Sequence, residues 1–262
     1  MNISVLVPNY NNKNYLRQAI DSVLMQKGAH VEIVVVDGAS TDGSVEILRS
    51  YGDRIRWISE PDSGQSDALL KAFAMSHGDI IAWLNSDEMY LTGDILARVV
   101  SSFSQLPPNI AVVYGDFSYI DEEGKVLLEK RSHPYHYYQI LRGKFMPNQP
   151  AVYFRRTALD DLGFVSRDYH FAMDLELYAR LGAKYEFRYV PMRLGGFRLH
   201  GESKTLSGNS KKKIQAEVHA IRAQYDSSMF GKMKSRYYSF RGSVADLTQY
   251  RKLFVRNGKL IK

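Results

Sequence analysis

Three stretches of the chain are mostly apolar rather than alternating, and each ends abruptly in a polar cluster. They are ISVLVP (3–8), VEIVVVD (31–37) and DIIAWL (79–84). A strand with one face in water alternates apolar and polar residues, so apolar runs that do not alternate predict strands covered on both faces. The segments between them carry helical spacing. Leu16, Ala19, Ile20, Val23 and Leu24 share one helix face, with Asn14 as the candidate cap. Val45, Ile47 and Leu48 follow the cap-rich Ser40-Thr41-Asp42, and Ala68, Leu69, Ala72 and Phe73 continue the pattern until Gly78 stops it. Strand, helix, strand, helix predicts an α/β protein with a mainly parallel sheet and right-handed crossovers.

After another helix at 96–103 the texture changes. IAVVYGDFSYIDEEGKVLLEK holds Glu123-Gly124 between two strand-like runs, the pattern of a hairpin. Short helices and strands mix as far as Arg198. The polar stretch GESKTLSGNSKKK (201–213) then reads as a mobile loop leading into the C-terminal segment.

Composition narrows the class. At 262 residues, with 45% hydrophobic and 24% charged residues, the chain can bury a full core, and one α/β domain with elaborations is expected. The absence of cysteine excludes disulfides, thiolate metal sites and a cysteine nucleophile. The first apolar run follows Met1 directly, so a first strand is expected rather than an export signal. No apolar stretch approaches the roughly 20 residues that span a bilayer, and a cytoplasmic location is the expectation.

The net charge of +7 is uneven: residues 211–262 hold 13 Lys and Arg against 3 Asp and Glu, which leaves the rest mildly acidic. With Tyr237, Tyr238, Phe240, Tyr250 and Phe254 interspersed, this basic segment fits either a solvated helical extension or a surface for anionic membrane or nucleic acid.

The chemistry gathers where the apolar runs stop. In an open parallel sheet, ligands bind beyond the carboxyl ends of the strands. The first run delivers Pro8-Asn9-Tyr10-Asn11-Asn12, the second Asp37 and the segment to Gly43, and the third Asn85-Ser86-Asp87-Glu88. Taken alone, Asp37 or Asp42 would be a turn or cap residue; three converging ends favour a site. Adjacent carboxylates at 87 and 88 repel each other, and Mg²⁺ or Mn²⁺ completed by phosphate oxygens and water would relieve that. Neither a P-loop nor a G-x-G-x-x-G fingerprint is present. Asp174 heads an apolar helical stripe of Leu177, Tyr178 and Leu181, and it fits either a helix cap or a general base whose pKa burial raises. Glu176, four residues before Arg180, is expected to form a solvated pair.

SVLVPNYNN, VVVDGASTDGS, EPDSGQSDALLKAF, WLNSDE, NQPAVYFRR, FAMDLELYARL and GFRLHGESKT, in this order and spacing, resemble glycosyltransferase family 2 over residues 3–205. These are inverting, metal-dependent, nucleotide-sugar enzymes. The resemblance implies a GT-A fold, a mainly parallel Rossmann-like sheet flanked by helices, over residues 1–205. Residues 1–105 would be its nucleotide-binding half and 106–205 its acceptor-binding half, followed at 206–262 by a flexible loop and a basic helical extension.

By the same resemblance Pro8 and Tyr10 floor the nucleobase pocket, Asp37 accepts a hydrogen bond from the base, and Gln65 and Asp67 line the nucleotide, although Asp67 also fits a pair with Lys71 one turn on. Asn85-Ser86-Asp87 resembles the D-x-D metal motif with Asn85 in the first place, which leaves Asp87 as the metal ligand. His200 resembles a further metal or diphosphate contact, Asp174 the catalytic base, with Met173 replacing the acidic residue usual before it, and Gln149, with Pro150, an acceptor contact.

The implied reaction moves a sugar from a nucleoside diphosphate sugar, a UDP-sugar foremost, to a glycan or lipid-linked acceptor hydroxyl with the help of Mn²⁺ or Mg²⁺. The basic segment would meet an anionic membrane surface, and no nucleic acid is expected. Two other readings stay open. A sugar nucleotidyltransferase would need a Gly-rich basic loop that PNYNNKNY lacks, and a non-catalytic nucleotide-sugar or polysaccharide-binding module would use the same pocket.

Overall fold

The computed structural model describes residues 1–134, 136–141, 146–201 and 210–225, together with the short strands at 254–256 and 259–261. Of the expected loop at 201–213, residues 202–209 lie outside the described residues and 210–213 are helical instead; Tyr237, Tyr238, Phe240 and Tyr250 also lie outside the described residues.

All three apolar runs are central strands. β1 (Ile3–Asn9) pairs in parallel with β2 (Val31–Asp37) on one side and with β4 (Ile80–Trp83) on the other. Their mostly apolar character has the expected cause. In β1, Ile3, Val5 and Val7 enter one core, with Leu16, Ile20 and Val23 of α1 (Lys13–Leu24), Leu48 of α2 (Ser44–Arg49) and Val99 and Phe103 of α4 (Ile95–Gln105). Leu6 enters the opposite core with Ala68, Leu69 and Ala72 of α3 (Gln65–Met75). A parallel edge strand, β3 (Arg56–Ser59), adds to β2. Its four residues, RWIS, are too short and too exposed to carry the pattern of a buried strand.

The second half departs from parallel order. The hairpin around Gly124, whose φ is +89°, joins β5 (Ile110–Ile120) to antiparallel β6 (Val126–Lys130). β7 (Val152–Arg155) is inserted antiparallel between β4 and β5, and β8 (Glu186–Arg198) runs parallel along β5. The sheet order is β3-β2-β1-β4-β7-β5-β6, with β8 on β5. α5 (Tyr137–Leu141), α6 (Arg156–Leu162), α7 (Met173–Gly182) and α8 (Ser210–Tyr225) contribute to the core that contains α3. Strands β9 (Phe254–Arg256) and β10 (Lys259–Ile261) pair with each other, antiparallel.

Two local expectations are corrected. Asn14 lies inside α1, not at its cap: the cap residue is Asn12, whose side chain bonds Ser86 instead, and the N–H of Lys13 donates to Asp42 of the β2–α2 loop at 2.8 Å. A carboxylate from a neighbouring loop thus serves the helix start. Glu176 and Arg180 do not form a solvated pair. Glu176 is only 4% exposed, and the pair closes at 2.8 Å. Burial is tolerated because Arg180 also donates to the carbonyls of Leu162, Gly163 and Phe164, and the Tyr225 hydroxyl donates to Glu176.

Candidate active site

The carboxyl ends of β1 and β2 are locked together by one carboxylate. Asp37, fully buried, accepts from Asn9 Nδ2 (2.6 Å), the Ser40 hydroxyl (2.5 Å) and N–H (2.9 Å), and the Ser59 hydroxyl (2.7 Å). A direct bond from a nucleobase to Asp37 would have to displace one of these donors. The loops that follow are strained. Asn11 (φ 48°) and Ala39 (φ 60°) are the non-glycine residues with positive φ among those described, and they face each other's loops through Asn11 N–H to Ser40 Oγ and Thr41 N–H to Asn11 Oδ1. Strain of this kind is kept where surrounding contacts over-determine the backbone, often at ligand sites. Tyr10 is 66% exposed beside them. At Gly38 a Cβ would come within 2.7 Å of Asp62 Oδ2 and 3.2 Å of the Tyr10 ring, so the glycine keeps open a notch between these two side chains. Pro8 is buried one residue before the end of β1.

The end of β4 gathers residues distant in sequence. Asn85 Oδ1 accepts from Gln65 Nε2 and Trp83 Nε1, both at 2.7 Å, and its amide donates to Gln149 Oε1 at 3.2 Å. Gln149 in turn donates to the Trp83 carbonyl. The expected nucleotide residues Gln65 and Asn85 and the expected acceptor residue Gln149 therefore form one network. Ser86 accepts from Asn12 at 2.9 Å and ties this turn to the β1 loop. Asp67 is paired mainly with Arg167 (2.7 Å), which lowers its pKa, and more loosely with Lys71 (3.6 Å).

Asp87 and Glu88 have different surroundings. Glu88 turns inward, 1% exposed, and accepts the Asn85 N–H at 3.0 Å; burial, then the charge of Asp87, pushes its pKa far up. Burial of Glu88 thus disfavours its charged form beside Asp87. Asp87 instead faces His200: Oδ2 and Nε2 are 2.9 Å apart, and buried His200 Nδ1 has no partner among the described residues.

β8 delivers the histidine. Gly195 packs so tightly on the Gln149–Ala151 turn that a Cβ would meet the Pro150 carbonyl at 2.4 Å, and Gly196 pairs with Met89. Arg198, 1% exposed, anchors the whole corner by donating to the carbonyls of Asp87, Asp121 and Glu122 and to Gln18. The sequence reading missed it; an arginine two residues before His200 in a strand was the available signal.

Asp174 sits in the first turn of α7, half-buried. Its Oδ1 accepts the Leu175 N–H at 2.8 Å, so it does bond its own helix start. Burial, with a smaller contribution from the charge of Glu217, raises its pKa to about 6, against the opposing backbone hydrogen bonds. The negative charges of Asp87 and Asp174 both act on Glu88, and those of Asp174 and Glu88 both act on Tyr178. The turn after β4 and the start of α7 therefore face a common region.

The profile "Glycosyl transferase family 2" matches residues 4–163, more than half of the chain. The chain belongs to this family. As a family 2 glycosyltransferase it is 36% identical over 127 residues to an uncharacterized glycosyltransferase of Rickettsia felis, an alignment that covers 48% of this chain and 21% of that protein. It is 25% identical over 238 residues to the chondroitin synthase of Escherichia coli, covering 90% of this chain and 34% of the synthase. The chain thus spans about a fifth to a third of these relatives. Among solved structures it resembles a mannosyltransferase of Pyrobaculum calidifontis in complex with GDP-Man and Mn²⁺ (TM-score 0.60, 21% identity, 85% of this chain and 61% of that one). It also resembles S. aureus TarS 1–349 in complex with UDP-GlcNAc (TM-score 0.66, 16% identity, 95% and 78%). These likenesses establish the expected GT-A fold for this family 2 glycosyltransferase.

Proposed function

We propose that this glycosyltransferase moves a sugar from a nucleoside diphosphate sugar, a UDP-sugar foremost, to an acceptor hydroxyl with inversion, in the synthesis of a bacterial surface polysaccharide or lipid-linked glycan. The observation that carries the reading is the Asp87–His200 pair at 2.9 Å beyond β4, with Asp174 acting on the same turn.

The Asp87 carboxylate and the His200 imidazole nitrogen, together beyond β4, are donors of the kind a divalent ion takes. No group of three or more possible ligands occurs among the described residues, so the donor set suits a divalent ion completed by diphosphate oxygens and water. Held by Asp87 and His200, Mn²⁺ or Mg²⁺ would supply Lewis-acid neutralisation of the departing diphosphate.

Asp174 takes the acceptor proton as the hydroxyl attacks the anomeric carbon on the face opposite the diphosphate; the C–O bond to the acceptor forms while the bond to the diphosphate breaks. Its raised pKa makes it a stronger base than an ordinary carboxylate. Tyr10 and Pro8 offer the nucleobase an apolar floor beside the Gly38 notch, and Asp37 fixes that floor through Asn9, Ser40 and Ser59. Gln65, Asn85 and Ser86 line the donor, Asp67 holds its neighbouring loop through Arg167, and Gln149 meets the acceptor. The basic segment after α8 would keep the enzyme at the inner membrane face. No helix among the described residues is long and apolar enough to cross a membrane.

The test is release of the nucleoside diphosphate from UDP-GlcNAc, UDP-glucose and GDP-mannose with Mn²⁺, in wild type and in Asp87→Ala and His200→Ala. Metal-dependent turnover lost in both variants is expected. Undiminished activity after exhaustive chelation would remove the metal assignment, and no turnover with any donor would favour a binding module.

A further inference from the structure

α8 begins the basic C-terminal segment, yet it is docked on the site. Ile221 is fully buried in the core that contains α7, Arg222 Nε donates to the Leu141 carbonyl at 2.6 Å, and Tyr225 donates to Glu176 at 2.8 Å. From this helix the Glu217 carboxylate reaches the loop before α7 and accepts three successive backbone N–H groups: His170 on Oε1 at 3.0 Å, and Phe171 and Ala172 on Oε2, both at 2.8 Å. Ala172 is the cap residue of α7, and Asp174 follows two residues later.

Three consecutive N–H groups aimed at one carboxylate form an anion-binding concavity, here filled by the protein's own charge. The other end of the loop is tied to the donor side, where Arg167 donates to Asp67 through Nε at 3.1 Å and Nη2 at 2.7 Å.

We propose that Glu217 is a positioning residue: it sets the path of residues 170–172 and thereby the place of the Asp174 carboxylate, so that the first helix of the basic segment completes the active site. This rests on the reading of Asp174 as the base. Glu217 acts through the backbone and through its charge. The groups that face Asp174 electrostatically are Glu217 from α8, Glu88 from the turn after β4 and Tyr178 from α7, and Tyr169 also faces Glu217. Removing the Glu217 charge therefore moves the Asp174 pKa down from about 6.

The experiment compares wild type, Glu217→Gln, Glu217→Ala and Tyr225→Phe, the last loosening α8 without touching the loop. In each, ¹³C-NMR follows the Asp174 carboxyl titration, amide hydrogen exchange reports Phe171 and Ala172, and turnover is read with whichever of UDP-GlcNAc, UDP-glucose and GDP-mannose is used. In both Glu217 variants the Asp174 titration moves to lower pH, exchange of the two amides accelerates at least about tenfold, and kcat falls at least about tenfold with donor KM unchanged. Tyr225→Phe lowers Tm only. An unmoved Asp174 titration and unchanged exchange in Glu217→Gln overturn the positioning role, as does the same response in Tyr225→Phe. If these shifts occur but Asp174→Asn keeps wild-type turnover, the base reading fails while the geometric link stands.

Discussion

Asp37, at the end of β2, is fully buried and Asp174, at the start of α7, is half-buried, and their surroundings are opposite in kind. Asp37 receives four donors from three residues. Asp174 receives the N–H of Leu175 in a half-buried setting, with the negative Glu217 nearby. A carboxylate whose lone pairs are filled is a fixed anchor. One that burial and a like charge hold above its ordinary range is ready to take a proton. On the proposed reading, one side-chain chemistry serves rigidity at Asp37 and reactivity at Asp174.

The largest effect that would sharpen this contrast is expected at Asp174. Asp174→Asn should lower turnover about 10²- to 10⁴-fold, while its stability moves the other way. The folded pKa of about 6 lies above the unfolded value, so the contribution of this group is fully present below the unfolded pKa and is lost as pH rises through about 6. Above that pH the ionised side chain opposes folding, and Asn should stabilise the protein by up to about 3 kcal/mol at pH 8, read as a higher midpoint in urea.

Next comes Arg180→Ala, which leaves Glu176 charged and buried and should cost about 3–5 kcal/mol in the same unfolding assay. Asp37→Asn turns an amide toward the donors now satisfied and should cost about 1–3 kcal/mol. Equal responses of turnover to Asp37→Asn and Asp174→Asn would erase the distinction between anchor and base. The smallest effect is expected at Glu88. Because burial disfavours its charged form, Glu88→Gln should change stability by less than about 1 kcal/mol at pH 7, measured by thermal denaturation.

Much of this arrangement was legible in the sequence because its signals are local. The three apolar runs report burial on both faces, and their polar ends mark the crevice. Gln65, Asn85 and Gln149 were named separately, but only the structure joins them, since hydrogen bonds across 64 positions leave no spacing to read. Asn14 looked like a cap because nothing in the sequence shows Asp42 reaching Lys13. Glu176 looked solvated because the i, i+4 pattern is the same on exposed and buried faces, and the carbonyls that satisfy Arg180 come from another segment. Asp87 and Glu88 looked like one charged pair because the chain cannot reveal that the second turns inward. Glu217 carried no signal beyond being one of the few acidic residues in a basic segment.

The most direct test of the central claim is the pH dependence of kcat/KM for the wild-type enzyme with saturating Mn²⁺. Asp174 works only when deprotonated, so activity should rise about tenfold per pH unit on the acid side and level off above an apparent pKa of about 6. A profile that stays flat from well below that value to pH 8, or an acid limb that persists in the residual activity of Asp174→Asn, would contradict the assignment of Asp174 as the base.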